Sequence, residues 1–267
     1  MSTENAYSQT LSEYQRRWQR SYLIVGVVLA IVGAALYHVK LFDGSRLAQG
    51  VPSIVSLVGE MLPPNFTDAK NWLWPVLDTL MMSVAGTAVA VLFSLPLAFL
   101  AAANTAPHPF VYQISRGILN GLRSIPELIM GIVFVAAVGF GALPGVLALG
   151  LHSVGMVGKF FAEAIEHAHV APVEASRAAG HTPLQVIFHG FLPQVIPQMA
   201  DVSIYRWEYN FRASTVMGMV GAGGIGFELM GALRLMQYRD LSAILIVVLL
   251  MVTLVDGLSG YLRRQFK

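Results

Sequence analysis

Residues 174–193 read Glu-Ala-Ser-Arg-Ala-Ala-Gly-His-Thr-Pro-Leu-Gln-Val-Ile-Phe-His-Gly-Phe-Leu-Pro. The stretch is a polar island in a chain otherwise made of long apolar runs. Gly180, Pro183 and several charged or imidazole side chains make it a poor candidate to cross a bilayer, where every backbone group must be satisfied within the segment. It belongs in water, with side chains placed to touch something there.

The rest of the chain fixes the surroundings of that island. Of 267 residues 55% are hydrophobic and 12% charged, with a mean hydropathy of +0.63. A soluble domain carries about a quarter charged residues, so this is a polytopic membrane protein. A net charge of +2, without any basic-aromatic tract, excludes a nucleic-acid partner. The absence of cysteine excludes disulfides, thiolate metal sites and cysteine nucleophiles. His167 and His169 are the one close histidine pair, and at i,i+2 on a helix end their rings point apart, so no metal site is expected.

Working outward from the island, an all-α membrane fold with about six transmembrane helices is expected. Arg16, Arg17 and Arg20 precede an apolar run from Tyr22 to Tyr37, with no small-x-small cleavage site after it, so an uncleaved first span is expected. Leu47, Val51, Ile54, Val55, Val58, Met61 and Leu62 recur at helical spacing until Pro63-Pro64, which predicts an amphipathic helix at the outer interface. Trp72 and Trp74 follow at the place of an aromatic belt. Thr79 to Pro107 carries no charge and makes one span, and residues 108–123 read as a connector. Leu128 to Gly158 is too long for one span and is broken by Gly139, Gly141, Pro144 and Gly145, giving spans at about 124–141 and 145–166. Two more are expected at about 194–219 and 241–262.

Six spans put both termini on one side, and the flanking positive residues, Arg263, Arg264 and Lys267 among them, make it the cytoplasm. Parity then places 167–193 in the cytoplasm too. The expected organisation is a cytoplasmic segment at 1–20 and a first helix with an extracytoplasmic amphipathic segment at 21–74. A core at 75–262 and a tail at 263–267 complete it.

Charges inside a bilayer are costly, about 2.5–3.5 kcal/mol each on insertion scales, so they should face protein, water or substrate. The fifth span holds Arg206, Glu208, Asn210, Arg212 and Ser214. Glu208 and Arg212 stand at i,i+4 and form an internal pair, whereas Arg206 lacks a local partner and must snorkel or pair with another helix. The functional alternative is that an arginine lines a pathway and offsets an anion's charge, a guanidinium fork suiting a tetrahedral oxyanion. Arg206, Arg212, Asn210, Ser214 and His152 are the pathway candidates, His152 having also the reading of a buried, satisfied histidine. Lys159 and Glu163 read as a structural i,i+4 pair, and Glu127 as the partner of Arg123.

Gly221, Gly223, Gly224 and Gly226 fit G-x-G-x-x-G, but that fingerprint has meaning only between a strand and a helix. Here a membrane helix precedes it, so the glycines serve close helix approach or a bend at an outer mouth, with an anion-binding nest as the lesser alternative.

Glu174-Ala175, Gly180 six residues on and Leu192-Pro193 resemble the EAA loop of membrane subunits of bacterial ATP-binding-cassette importers. The resemblance implies a type I importer permease fold in which the loop, a helix, a turn at Gly180 and a second helix, docks on an ATPase through Glu174, Ala175, Arg177, Gly180, His181, Leu192 and Pro193. Ser176 replaces an alanine of the pattern, and Gly190 stands where the family has isoleucine. Arg123–Leu128, Leu149–Glu163 and Arg206–Gly226 are similar to permeases for phosphonates and related phosphorus oxyanions such as phosphite. What this implies is an inner-membrane homodimer, two cytoplasmic ATPase subunits that hold the ATP and magnesium, and a periplasmic or lipid-anchored binding protein. The chain itself is expected to bind no cofactor and to be no enzyme, and it has no G-x-x-x-x-G-K-[ST] cradle for phosphates. The alternatives are an importer permease for another small anionic or zwitterionic solute such as an amino acid, an ion-coupled carrier, or an integral membrane enzyme using Glu208 or His152.

Overall fold

A computed structural model describes residues 3–41 and 44–266, without the side chains of residues 3–13, 46 and 47. The expectations for Leu47 and Lys267 lie outside the described residues. The described residues are helical throughout, joined by turns and bends, and fall into two compact units, residues 1–59 and 60–267.

In the first unit, α1 (Thr3–His38) runs unbroken from the polar arm through the apolar run, with Trp18 and Tyr22 in edge-to-face contact at 5.6 Å. The amphipathic segment is α2 (Gly44–Glu60), with Val51, Ile54, Val55 and Val58 exposed.

The second unit is built around α6 (Ala142–Glu166), the most enclosed long helix. Its glycines make that enclosure possible. Gly150 lies against Val89 and Gly86 of α3 (Leu73–Ala101), and Gly155 against the backbone of Leu119 and Arg123 in α4 (Pro109–Ser124). Small residues let helix backbones approach this closely where lipid supplies no hydrophobic driving force. Of the remaining helices, α5 is Glu127–Val138, α9 Leu192–Met217, α10 Ile225–Arg234 and α11 Tyr238–Arg264. Among the described residues four helices are long and apolar enough to cross a membrane, or six if each of two bent pairs counts as one span.

Several expectations change. Residues 109–124 are a helix rather than a connector, and α4 meets α5 at an angle of 85° across Ile125-Pro126. The cause is Pro126, which holds Ile125 in an extended conformation and cannot continue the helix. The span expected at 124–141 is therefore reduced to a twelve-residue helix. Glu127 does not pair with Arg123, because the break leaves no common helical face at i,i+4. The stretch after the glycines is a helix, α10, bent 58° from the one before it. Trp72 is buried with Ile225, Leu241 and Ile244, while Trp74 is exposed as a belt residue would be.

Candidate functional site

The island folds as two arms. The first is α7 (Val170–Ala178). Beyond the turn, α8 (Pro183–Val186) passes through one π-turn, 187–191, directly into α9. Gly180 has φ +82° and its N–H donates to Arg177 O at 2.9 Å, so the left-handed turn that the sequence asked of this glycine is there. Thr182 and Gln185 form a reciprocal capping box that starts the second arm. Val173, Ser176, Val186 and Phe191 hold the arms together from inside. Gly190 has its role here: a Cβ on it would stand 3.2 Å from Val173 Cα, so the residue that costs an apolar anchor lets the arms cross closely.

Outward, Glu174, Ala175, Arg177, Leu184 and Phe188 are exposed. His181 is half-buried, with Nδ1 2.9 Å from Ser176 Oγ and its ring 5.0 Å from that of His189. Arg177 and His181 line a cleft of about 200 Å³ with Asn104, Thr105 and Phe191. Leu192 and Pro193 open α9, and Gln194 fastens the loop's far end by bonding His169 N at 3.0 Å and Gly190 O at 2.6 Å. The hairpin thus presents charged and apolar groups to its outside and is continuous with the long helix α9.

The second constellation lies along α9, whose residues two apart point to opposite sides. On one side Arg206, only 5% exposed, donates from Nε to Ser153 Oγ at 2.8 Å. Ser153 Oγ donates to Asn210 Oδ1 at 3.0 Å, and Asn210 Nδ2 to Thr87 Oγ1 at 2.9 Å, which ties α9, α6 and α3 by a buried polar chain. Arg206 also lies over the Tyr209 ring at 4.2 Å, and Tyr209 OH donates to Glu127 Oε1 at 3.0 Å. Glu127 Oε2 stands 3.8 Å from Arg206 Nη2 and 3.7 Å from His152 Nε2, while His152 Nδ1 meets Ile125 O at 3.1 Å. Arg206 thus pairs with another helix rather than snorkelling.

On the other side Glu208 accepts from Arg212 at 3.1 Å, as the spacing predicts, and also from Ser259 at 2.8 Å and Arg263 at 3.0 Å. Arg212 reaches Asp256 at 2.9 Å. Lys159 and Glu163 stand 3.7 Å apart on the surface of α6. Thr87, Ser153, Tyr209, Asp256, Ser259 and Arg263 are the members that sequence reasoning missed, and Glu127 was read only as the partner of Arg123. Its place just after Pro126, where the helical face shared with Arg123 breaks, was the signal available.

The glycine segment closes the far end of α9 as a second π-turn, 218–222, with Gly221, Gly223 and Gly224 all at positive φ. Ser214 is fully buried, its Oγ 3.1 Å from Thr79 O, and Thr79 Oγ1 accepts from Ile225 N at 2.9 Å. Gly226 packs on the Thr215 carbonyl so tightly that a Cβ has no room. These glycines serve close packing and a bend.

A membrane core that is helical in its described residues, with an exposed hairpin and buried charges on one central helix, has the make-up of a transport subunit. Residues 94–267 match the binding-protein-dependent transport system inner membrane component family, and the chain belongs to it. Members are transport components of ATP-binding-cassette importers, not enzymes. Among curated relatives, the phosphite transport system permease protein PtxC of Stutzerimonas stutzeri is 67% identical over 94% of this chain and 91% of its own length. The phosphate-import permease protein PhnE of Mycolicibacterium smegmatis is 42% identical over 84% of this chain and 42% of its own. The fold is that of type I importer permeases. The membrane subunit in an inward-facing structure of the MetNI methionine transporter superposes with a TM-score of 0.63 at 22% identity, covering 73% of this chain and 96% of that one.

Proposed function

We propose that this chain is the permease through which an ATP-binding-cassette importer brings a phosphorus oxyanion, phosphite or a related phosphonate or phosphate, into the cytoplasm. The observation that carries the reading is its near full-length similarity to a phosphite permease. The exposed hairpin at 170–191, continuous with the charge-bearing α9, supports it.

In this reading two copies of the chain form the passage, each with both termini in the cytoplasm, and lipid surrounds them in a bacterial inner membrane. Each hairpin docks on one of two ATPase subunits through Glu174, Ala175, Arg177, Gly180, His181, Leu192 and Pro193. The ATPases bind the ATP and magnesium, and a periplasmic or lipid-anchored protein delivers the ion. Closure of the ATPases moves α7 and α8, and α9 follows because no flexible linker intervenes. One arginine supplies the positive charge of the pathway: Arg206, with His152 and Asn210 on its side of α9, is the first choice, Arg212 on the opposite side and the buried Ser214 being the remaining candidates. Gly221, Gly223, Gly224 and Gly226 form its outer bend.

The test is vanadate-sensitive uptake of labelled phosphite by membranes that contain the chain, its ATPase and its binding protein. Glu174→Ala and Gly180→Trp are expected to abolish uptake and release the ATPase while insertion persists. Uptake independent of any ATPase would remove the reading.

A further inference from the structure

Glu127 has no part in the function so far, and its surroundings are unusual. It begins α5 at the 85° break, beside the exposed Ser124, Ile125 and Pro126. Its neighbour on α6, His152, lies about 15 Å from the start of that helix and about 21 Å from its end, so the cluster sits near mid-membrane. Oε1 is committed to Tyr209. Oε2 is buried without a hydrogen bond from any described residue, and so is Arg206 Nη2, on a side chain only 6% exposed. At 3.7 and 3.8 Å, His152 and Arg206 stand beyond hydrogen-bond reach of Oε2. Unused capacity of this kind, buried, calls for an explanation.

The roles of these atoms are fixed by chemistry. Ile125 O only accepts, so His152 Nδ1 donates to it, and in the neutral ring Nε2 is an acceptor. With the His152 ring neutral, the free positions are the two N–H groups of Arg206 Nη2 and two acceptors, Glu127 Oε2 and His152 Nε2. A fully deprotonated oxyanion offers only acceptors and would meet two of them here. A singly protonated phosphorus oxyanion offers both a charged oxygen and a P–O–H, and that pair complements this set.

We propose that Glu127 is a specificity-determining residue of the pathway, its free oxygen accepting the hydroxyl proton of a singly protonated phosphorus oxyanion whose charged oxygen is held by Arg206 Nη2. The inference rests on the reading of the chain as a phosphorus-oxyanion permease. Glu127 and Arg206 together are neutral, so the ion enters without a net attractive charge to trap it. Its hydroxyl, rather than its charge, is what the carboxylate reads. Tyr209 acts as a positioning residue, since its hydroxyl holds Oε1 and so aims Oε2.

Phosphite and hypophosphite isolate the hydroxyl. In mildly acidic buffer both carry one negative charge and P–H protons visible by NMR, but only phosphite has a P–O–H. The permease–ATPase complex in nanodiscs, without the binding protein, is titrated with each ion and binding is read by saturation transfer to the P–H protons. The wild type is expected to prefer phosphite by about tenfold or more, as a site built for a hydroxyl does. Glu127→Gln should shrink the preference to within about threefold. Tyr209→Phe, which leaves every charge in place, should reduce it by about half, and it decides the matter alone if the glutamine variant fails to assemble. An undiminished preference in assembled, ATP-hydrolysing variants overturns the inference, as does no phosphite signal in the wild type. Wild-type phosphite uptake with the binding protein present separates this from the wider reading: uptake that persists beside an undiminished preference sinks only the role of Glu127.

Discussion

Glu208 receives three donors from two helices, and Lys159 meets one neighbour at the surface. The two sites show how unequal the ion pairs of this chain are. Replacing Glu208 by Gln leaves Arg263 uncompensated and Arg212 with Asp256 alone, in a place where Glu208 itself is buried. Removing one partner of a fully buried pair costs about 3–5 kcal/mol, and here the loss falls below that range because Arg212 and Arg263 keep 41% and 30% of their side-chain exposure and stay partly solvated. The exposed Lys159–Glu163 pair is worth no more than about 0.5 kcal/mol. Thermal unfolding of the purified complex should therefore drop by several degrees in Glu208→Gln and hardly at all in Lys159→Ala. Equal shifts would mean that the Glu208 network bears no strain of its own. Both i,i+4 pairs could be read from the sequence, because helical geometry alone brings those residues together. Asp256 and Arg263 could not, since their place beside α9 depends on how α11 packs and no periodicity carries that. The same limit hid the meeting of Arg206 with Glu127.

Among the elements, the long apolar helices were legible because their runs exceed what a bilayer needs, and the hairpin because Gly180 marks its turn. The break at Ile125-Pro126 and the helix after the glycines were not. Pro126 reads equally as the first residue of a span or as the end of one, and Gly223-Gly224 hide the helical face that follows. Those glycines are not interchangeable. A side chain on Gly180 meets nothing within 4 Å, so Gly180→Ala has to bear only the left-handed backbone, about 1 kcal/mol. A side chain on Gly226 runs into the Thr215 carbonyl, and rigid helix backbone cannot give way there. Size-exclusion profiles should show Gly180→Ala as an assembled complex that melts slightly lower. Gly226→Ala is expected to aggregate or to leave its ATPase. An assembled Gly226→Ala would mean that α9 and α10 separate more easily than their close packing implies.

At the scale of the whole molecule the number of crossings turns on the bent pairs. Twelve residues of α5 span about 18 Å, short of a hydrocarbon core of about 30 Å, so α5 crosses only together with α4. If that pair makes one crossing, and the helix through α9 with α10 another, the count is six and the two ends of the chain share a side. If the α4–α5 pair dips in and returns, the count is odd and the C-terminus moves across. The sequence contains no cysteine, so single cysteines report position without background. Asn71→Cys lies before α3, Leu184→Cys on the hairpin and Gln265→Cys after α11, all three at exposed positions. With a membrane-impermeant maleimide on intact spheroplasts, Asn71→Cys should label at once, and Leu184→Cys and Gln265→Cys only after permeabilisation. Labelling of Gln265→Cys from outside, with Leu184→Cys still protected, would place an odd number of crossings after the hairpin. The bend between α9 and α10 would then be a re-entrant turn rather than part of a span. Protection of all three would put Asn71 on the hairpin's side and make the α4–α5 break the re-entrant element.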